Sequence, residues 1–194
     1  VKKHYKKNST PFINDTYQLA NELRIFRKDV FKLSKNARKH YNLIMLRKKN
    51  GGLRYIHSPD TSLKNAQRRI LKSILSNIKI SHYATAYVTG KNLKDNATPH
   101  INHKYLLKMD ITDFFGSITY LQVISSAFNA NRFPVQIGAI LTSLCCLDDV
   151  LPQGAPTSPA LSNIVMKNFD DIIGAWCKKR NISYSRYCDD LTFS

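Results

Sequence analysis

The chain has 194 residues, of which 43% are hydrophobic and 22% are charged, so it can bury a core and its composition does not favour disorder. No stretch approaches the roughly 18 consecutive apolar residues of a membrane span, and no basic start followed by an apolar stretch indicates a secretory signal. The four cysteines form neither a CxxC pair nor a zinc pattern. A reducing cytoplasm is therefore the expected location.

The charge is distributed unevenly along the chain. Lys and Arg number 30 against 13 Asp and Glu, for a net charge of +17. Residues 1–100 carry 22 basic and 5 acidic side chains, whereas residues 101–194 carry 8 of each. This asymmetry predicts a polyanion-binding part joined to a neutral part, with a merely soluble basic surface as the alternative. No basic segment carries a strong lipid-facing stripe, so we expect no membrane partner.

The first part is predicted to be helical up to about residue 40, where a hairpin begins. Its strands are 41–47 and 53–57, and its tip contains Lys48, Lys49 and an Asn-Gly pair that favours a tight hairpin turn. The apolar residues before the hairpin have helical spacing: Leu19, Leu23, Phe26, Val30 and Leu33.

A second helix is predicted after the hairpin, with Ser62 as its N-cap. Arg68 and Arg69 lie on its basic face. Its apolar face is predicted to consist of Leu63, Ala66, Ile70, Ile74 and Ile78.

The second part is predicted to mix short strands with helices. A strand over 105–109 ends at Asp110, and helices over about 120–130 and 134–146 follow. After a Gly/Pro loop, Ser158 caps and Pro159 opens one long helix. The last segments are a strand over 182–188, an Asp-Asp turn and a returning strand that runs to the end, which favours a fragment of a longer protein. The long helix is predicted to bury Leu161, Ile164, Val165, Phe169, Ile172, Ile173 and Trp176.

Three carboxylates stand where strands end. Asp110 closes one strand, and Asp189 and Asp190 form the tip of the last hairpin. A solvated turn is the ordinary reading of an Asp pair. If the two strands are neighbours, however, the carboxylates meet, and like charges at short range need a cation. Oxygen ligands favour Mg²⁺, and two ions roughly 3.5–4 Å apart can activate a hydroxyl and stabilise a leaving pyrophosphate.

These carboxylates belong to three boxes in a fixed order, DITDFF from residue 110, LPQGAPTSP from 151 and YCDD from 187. In this order and spacing they resemble the palm of reverse transcriptases, and the basic hairpin resembles the fingers. The segment NATPH at 96–100 is similar to the Asn-Ala-x-x-His signature of retron reverse transcriptases. The resemblance implies an α+β fold, with fingers over 1–103, an antiparallel palm sheet with packed helices over 104–194, and no thumb.

The resemblance also implies roles for individual residues. Asp110, Asp189 and Asp190 would be the catalytic metal ligands, with the Ile111 carbonyl, for two Mg²⁺ ions that Mn²⁺ can replace. Phe115 would exclude a ribose 2′-hydroxyl, and the planar fork of Arg54 would grip the triphosphate. The rest of the nucleotide site would be Lys48, Asp113, Phe114, Gln153 and Gly154, although the two phenylalanines are also plausible core residues.

The RNA or template contacts are assigned to Asn96, His100, Arg68 and Arg69. Turn and packing roles stay open for Asn96 and His100, because the signature has no chemistry derivable from its residue types. The implied activity is RNA-directed DNA synthesis on a structured non-coding RNA, with RNA–DNA hybrid and dNTPs as the other ligands. A retron enzyme would make RNA-linked single-stranded DNA in phage defence together with an effector protein.

Three alternatives stay open, and the third belongs to a different class of protein. A group II intron or abortive-infection reverse transcriptase shares the palm boxes but is disfavoured by NATPH. A viral RNA-dependent RNA polymerase is disfavoured by Cys188 and Phe115. A non-catalytic RNA-binding scaffold is disfavoured because all three carboxylates are present.

Overall fold

Short helices and two small antiparallel sheets make up the computed structural model, which describes residues 11–47 and 51–194. The strands are β1 (Tyr41–Arg47), β2 (Leu53–Pro59), β3 (Leu107–Asp110), β4 (Tyr184–Tyr187) and β5 (Asp190–Phe193). The helices are α1 (Thr16–Leu23), α2 (Arg27–Lys35), α3 (Thr61–Ser73), α4 (Leu93–Ala97), α5 (Tyr120–Ser126), α6 (Val135–Cys145), α7 (Ser158–Val165) and α8 (Lys167–Lys178). This combination is an α+β fold.

The predicted hairpin is present as the two-stranded sheet β1–β2. Tyr41 pairs with Pro59 at its base and Arg47 pairs with Leu53 near its tip. Gly51 has a φ of 85°, a left-handed conformation that glycine adopts without steric cost. Lys48 and the rest of the predicted tip, Lys49 and Asn50, lie outside the described residues.

The second sheet has three antiparallel strands in the order β3-β5-β4. The two carboxylate-bearing strands are neighbours, which is the condition under which the carboxylates were expected to meet, and Asp110 lies directly opposite Asp190. The strand expected over 105–109 is shorter at its start, beginning at Leu107, and all four β3 residues are exposed. It is one of the two edge strands of this sheet.

One large core is built from apolar faces of α1, α2, α3, α5, α6 and α7. A smaller cluster, Cys177, Tyr184 and Leu191, joins α8 to β4 and β5. The large core takes residues from both sides of the division expected at residue 104, so that division stays a prediction. No helix among the described residues combines the length and the apolar character needed to cross a membrane.

The helical region before the hairpin is two helices, α1 and α2, separated at Arg24, whose φ of 54° is left-handed. Phe26, expected in the core, is the extended residue that precedes α2 and is 75% exposed. The prediction that Ser62 caps α3 is also wrong. The cap is Asp60, whose carboxylate accepts a hydrogen bond from the Leu63 amide at 2.9 Å. Ile74 and Ile78 are buried but lie beyond the last residue of α3.

The single long helix predicted from Ser158 is two helices, α7 and α8, that meet at Met166, where ψ of −7° ends the first helix. The change of direction gives α8 a different buried face, made of Asp170, Gly174 and Cys177. The predicted core residues Phe169, Ile172 and Trp176 are exposed instead. Ser158 is the first residue of α7 rather than its cap, and its hydroxyl donates to the Pro152 carbonyl at 2.8 Å.

Candidate active site

The three carboxylates meet where β3 ends and the β4–β5 hairpin turns. Asp110 and Asp190 occupy opposite positions on β3 and β5, and the Ile111 amide donates to the Asp189 carbonyl at 3.1 Å. Cys188 makes the turn with a φ of 61°. Backbone pairing therefore brings Asp110, Asp189 and Asp190 to one edge of the sheet, as the sequence predicted.

Lys108 shares this edge. Its ammonium lies 2.9 Å from Asp190 Oδ2, and both side chains are partly exposed. In this ion pair the Asp190 carboxylate points toward Lys108. Within residues 11–47 and 51–194, no group of three acidic, histidine or cysteine side chains is arranged to hold a metal ion. The donor chemistry nevertheless suits Mg²⁺, because the candidate ligands are all oxygens: three carboxylates and the Ile111 carbonyl.

A cleft of about 710 Å³ opens beside the carboxylates. Its walls come from β2, the segment after β3, the loop before α7 and the Cys188 turn. Most residues of the predicted catalytic and nucleotide sites line it: Arg54, Asp110, Ile111, Asp113, Phe114, Phe115, Gln153 and Asp189. Asp190 and Gly154 do not line it, and Lys48 lies outside the described residues.

The segment after β3 is a tight loop. Asp113 has a φ of 47°, and a Cβ on Gly116 would stand 2.3 Å from Asp113 Oδ2, so only glycine fits there without movement. Phe114 is buried in the large core, and Phe115 is half-buried at the cleft, with their ring centroids 5.4 Å apart. Phe114 therefore anchors the loop, and Phe115 is the more exposed of the two rings.

The loop before α7 is fastened to the hairpin. The His57 amide of β2 donates to the Gln153 carbonyl at 2.8 Å. Gly154 has a φ of 125°, and a Cβ there would stand 2.7 Å from Ile56 Cγ2 and 2.8 Å from the His57 carbonyl oxygen. The close approach that Gly154 permits is thus to β2, and its predicted contact with a nucleotide stays a prediction.

The residues assigned to RNA lie away from the cleft. Asn96 Oδ1 accepts from the Thr85 hydroxyl at 2.9 Å. The His100 ring bridges Ser185 Oγ (2.8 Å) and Ser194 Oγ (2.7 Å), on β4 and just after β5. Burial lowers the pKa of His100 and favours the neutral ring, which can donate from one nitrogen and accept at the other.

The RNA roles of Asn96 and His100 stay predictions. The structure shows both residues attached to β4, since the Ser185 hydroxyl also donates to the Asn96 carbonyl at 3.2 Å. Arg68 and Arg69 lie on α3 beside a different cavity, with Arg68 exposed and Arg69 half-buried. None of these four side chains lines the cleft.

Sequence reasoning missed two residues at the turn. Tyr87 lines the cleft, and its hydroxyl lies 3.1 Å from Cys188 Sγ. Arg186 is completely buried behind the turn and donates to the Cys188 carbonyl at 2.8 Å. The position of Arg186, one residue before the YCDD box, was an available signal, whereas nothing in the local pattern around Tyr87 indicates a cleft residue.

The comparisons with known proteins agree with this geometry. The model of the reverse transcriptase (RNA-dependent DNA polymerase) family matches residues 46–194, so the chain belongs to that family. Within it, the chain is similar to retron enzymes. It is 39% identical to the retron Ec83 reverse transcriptase of Escherichia coli over 165 residues, covering 80% of this chain and 53% of that protein.

Two further retron relatives extend the match. The chain is 32% identical to the retron Ec86 reverse transcriptase of Escherichia coli, covering 95% of this chain and 58% of that protein. It is 35% identical to the retron Mx65 reverse transcriptase of Myxococcus xanthus, covering 80% and 40%. The chain spans about half the length of these curated relatives. The predicted resemblance to retron-type reverse transcriptases is confirmed.

Proposed function

We propose that the protein carries out RNA-directed DNA synthesis by nucleotidyl transfer. The observation that carries the proposal is the convergence of Asp110 and Asp189 with Arg54, Phe115 and Gln153 on one cleft. Carboxylates, a phosphate-binding cation and a planar ring on facing walls match the three parts of a deoxynucleoside triphosphate that a polymerase handles: the reacting phosphate, the leaving group and the sugar.

The carboxylates hold the reaction centre. Asp110, Asp189, Asp190 and the Ile111 carbonyl would bind two Mg²⁺ ions, with Mn²⁺ as a substitute, after Asp190 exchanges Lys108 for a metal. When bound, these ions lower the pKa of the attacking hydroxyl and neutralise the leaving pyrophosphate. The protein's own contribution is positioning: the β3–β5 pairing fixes the spacing of the carboxylates, and little other covalent chemistry is required.

The other walls orient the nucleotide. Arg54 lies on β2 and reaches the cleft as a planar donor that can bind phosphate oxygens in pairs. Phe115 stands half-buried at the cleft and would collide with a ribose 2′-hydroxyl, which favours deoxynucleotides. The hydrogen bond from the His57 amide to the Gln153 carbonyl fixes the backbone of Gln153. Its side chain would contact the substrate from this fixed position.

The retron relatives support a finer proposal. A retron enzyme would copy part of a structured RNA from an RNA 2′-hydroxyl, leave single-stranded DNA joined to RNA, and act with an effector protein in phage defence. A cytoplasmic location is part of this proposal. It is supported by the four free cysteines among the described residues.

The test is the nucleic acid that copurifies with the protein expressed at its full length. After RNase treatment, surviving DNA is resolved on a denaturing gel and sequenced, with Asp190→Asn as the control. A discrete single-stranded DNA with an RNA-linked 5′ end, absent from the variant, is expected. Heterogeneous DNA would instead indicate a group II intron or abortive-infection type of enzyme, and the absence of any DNA would indicate a scaffold.

A further inference from the structure

A second cavity, of about 650 Å³, lies between the α1–α2 junction and the first half of α3. We call it the basic groove, and it shares no lining residue with the cleft. The left-handed break at Arg24 turns the chain so that α2 faces α3 across it. Four cationic side chains line its walls: Arg24, Lys32, Arg68 and Arg69.

These four cations lack acidic partners. In the part of the chain that the structure describes, none of them forms a salt bridge. Asp29 is the lone carboxylate among the groove's described lining residues, and the lining His40 is bonded to Asp60 at 2.7 Å. Cations gathered on one concave surface repel one another, and a polyanion that enters the groove relieves that repulsion.

The polar groups beside the cations indicate which polyanion. Ser62, Asn65 and Arg69 lie on one face of α3 because their spacing is three and four residues. Hydroxyl, amide and guanidinium groups are the side chains that most often contact nucleic-acid phosphates. We propose that the basic groove binds the phosphate backbone of a structured RNA, separately from the strand in the cleft. This inference rests on the proposed function for the identity of the polyanion.

The test compares two charge-matched variants of the full-length protein. The groove variant carries Arg24→Gln, Arg68→Gln and Arg69→Gln. The control carries Lys178→Gln, Lys179→Gln and Arg180→Gln, which remove three exposed cations at the end of α8. The dissociation constant of a defined stem–loop RNA is measured across a salt series. We expect the groove variant to lower the salt slope by about 2 to 3 and the control to change it far less.

Equal slopes in the two variants would overturn the proposal, and unchanged RNA affinity in the groove variant would point to an acidic protein segment as the groove's ligand. Extension of an oligo(dT) primer on poly(rA) by the wild-type protein tests the polymerase separately. If the wild-type protein binds the stem–loop but extends no primer, the proposed function fails while the groove assignment stands.

A different observation carries a second inference, about Arg186. Its side chain is fully buried, and it binds the Asp170 carboxylate through Nε (2.8 Å) and Nη2 (2.7 Å). Nη2 also donates to Asn163 Oδ1 at 3.0 Å. The guanidinium is therefore fixed to α7 and α8 at the same time.

The remaining arm of this guanidinium reaches the catalytic turn. Nη1 donates to the Cys188 carbonyl, whose residue has a left-handed φ that non-glycine residues seldom adopt. The guanidinium carbon also lies 5.9 Å from the centroid of the Phe114 ring, in the loop that follows Asp110. We infer that Arg186 is a positioning residue that holds both carboxylate-bearing segments in register with the helices behind them.

Removing Arg186 alone would leave Asp170 buried and unpaired, so the informative variant is the double substitution Arg186→Met with Asp170→Asn. The amide oxygen of Asn can still accept the Tyr184 hydroxyl, which now bonds Asp170 at 2.9 Å. Replacing both charges is often neutral for stability. We expect thermal unfolding close to wild type, kcat lowered about 10- to 100-fold and the KM for dNTP nearly unchanged.

A second readout does not depend on polymerisation. Mn²⁺ binding, followed by electron paramagnetic resonance, should weaken by about 10-fold or more in the double variant. Arg186→Lys keeps a buried cation beside Asp170 but offers no planar fork, so it should fold and show an intermediate loss. Wild-type kcat and Mn²⁺ affinity in either folded variant would overturn the inference.

Discussion

The two hairpins of the molecule face the same cleft but are built differently. In β1–β2 most side chains are exposed, including apolar ones such as Leu43 (58%) and Met45 (64%). In β4–β5 the residues Tyr184, Ser185 and Arg186 are buried, and β4 is tied to helices behind it by the Arg186–Asp170 ion pair. The first hairpin is fastened near its base, by the His57–Gln153 bond and the approach of Gly154.

The difference in burial between the two hairpins matches the role proposed for each one. Metal ligands act only when their spacing is held to a fraction of an ångström, which requires packing on every side of the turn. A side chain that binds a triphosphate can tolerate movement of its strand, because several phosphate oxygens can accept its hydrogen bonds. We therefore expect substitutions on β5 to affect the chemical step and substitutions on β2 to affect substrate affinity.

The largest effect is expected for Asp190→Asn. Loss of one carboxylate ligand removes several kcal/mol of transition-state stabilisation, so Mg²⁺-dependent primer extension should fall by at least about 10³-fold. Asp149→Asn is the matched control, because Asp149 is exposed and does not line the cleft. An Asp190→Asn protein that retains a tenth or more of the wild-type activity would show that the chemistry is placed elsewhere.

Arg54→Ala should have a smaller effect of a different kind. A hydrogen bond between charged groups contributes about 1.5–3 kcal/mol, so the KM for dNTP should rise about 10- to 100-fold while kcat changes little. Steady-state primer extension measures both constants. Arg47→Ala, on the paired strand and outside the cleft lining, is the control. A fall confined to kcat would contradict the assignment of Arg54 to the triphosphate.

Local sequence signals predicted the parts of this comparison that depend on neighbouring residues. The Asn-Gly pair and the flanking strand residues predicted β1–β2, because a few adjacent residues determine hairpin geometry. The Asp110–Asp190 pairing joins β3 to β5, which are distant in sequence, so it was expected only on the condition that those strands are neighbours.

Other features depend on contacts distant in sequence and could not be predicted in this way. The break at Met166 moved Phe169, Ile172 and Trp176 out of the core, and apolar spacing alone cannot show where a helix changes direction. Arg186 and Asp170 are 16 residues apart and are both charged, so residue type suggested exposure. Their mutual pairing, together with the hydrogen bonds that Tyr184 donates to Asp170 and Asn163 accepts from Arg186, offsets the cost of burying both charges.

Phe115→Val tests whether the Phe115 ring selects deoxyribose over ribose in the incoming nucleotide. A smaller side chain leaves room for a 2′-hydroxyl, so the preference for dNTP over rNTP should fall by about 10-fold or more, since steric exclusion in a pocket has effects of this order. The measurement is kcat/KM for dCTP and rCTP on one primer–template. The rate with dCTP should stay within a few-fold of wild type. An unchanged preference would assign sugar selection to another cleft residue.

The smallest effect is expected on the exposed hairpin, and it tests the comparison through stability. Leu46 on β1 is 47% exposed, whereas Leu191 on β5 is 7% exposed. Leu191→Ala leaves a cavity and should lower the unfolding free energy by about 2–5 kcal/mol. Leu46→Ala should change the unfolding free energy by less than about 0.5 kcal/mol. Urea unfolding of both variants measures the difference. Similar losses would mean that β1 packs against other parts of the protein, and the contrast between a loosely held and a rigidly held hairpin would then be wrong.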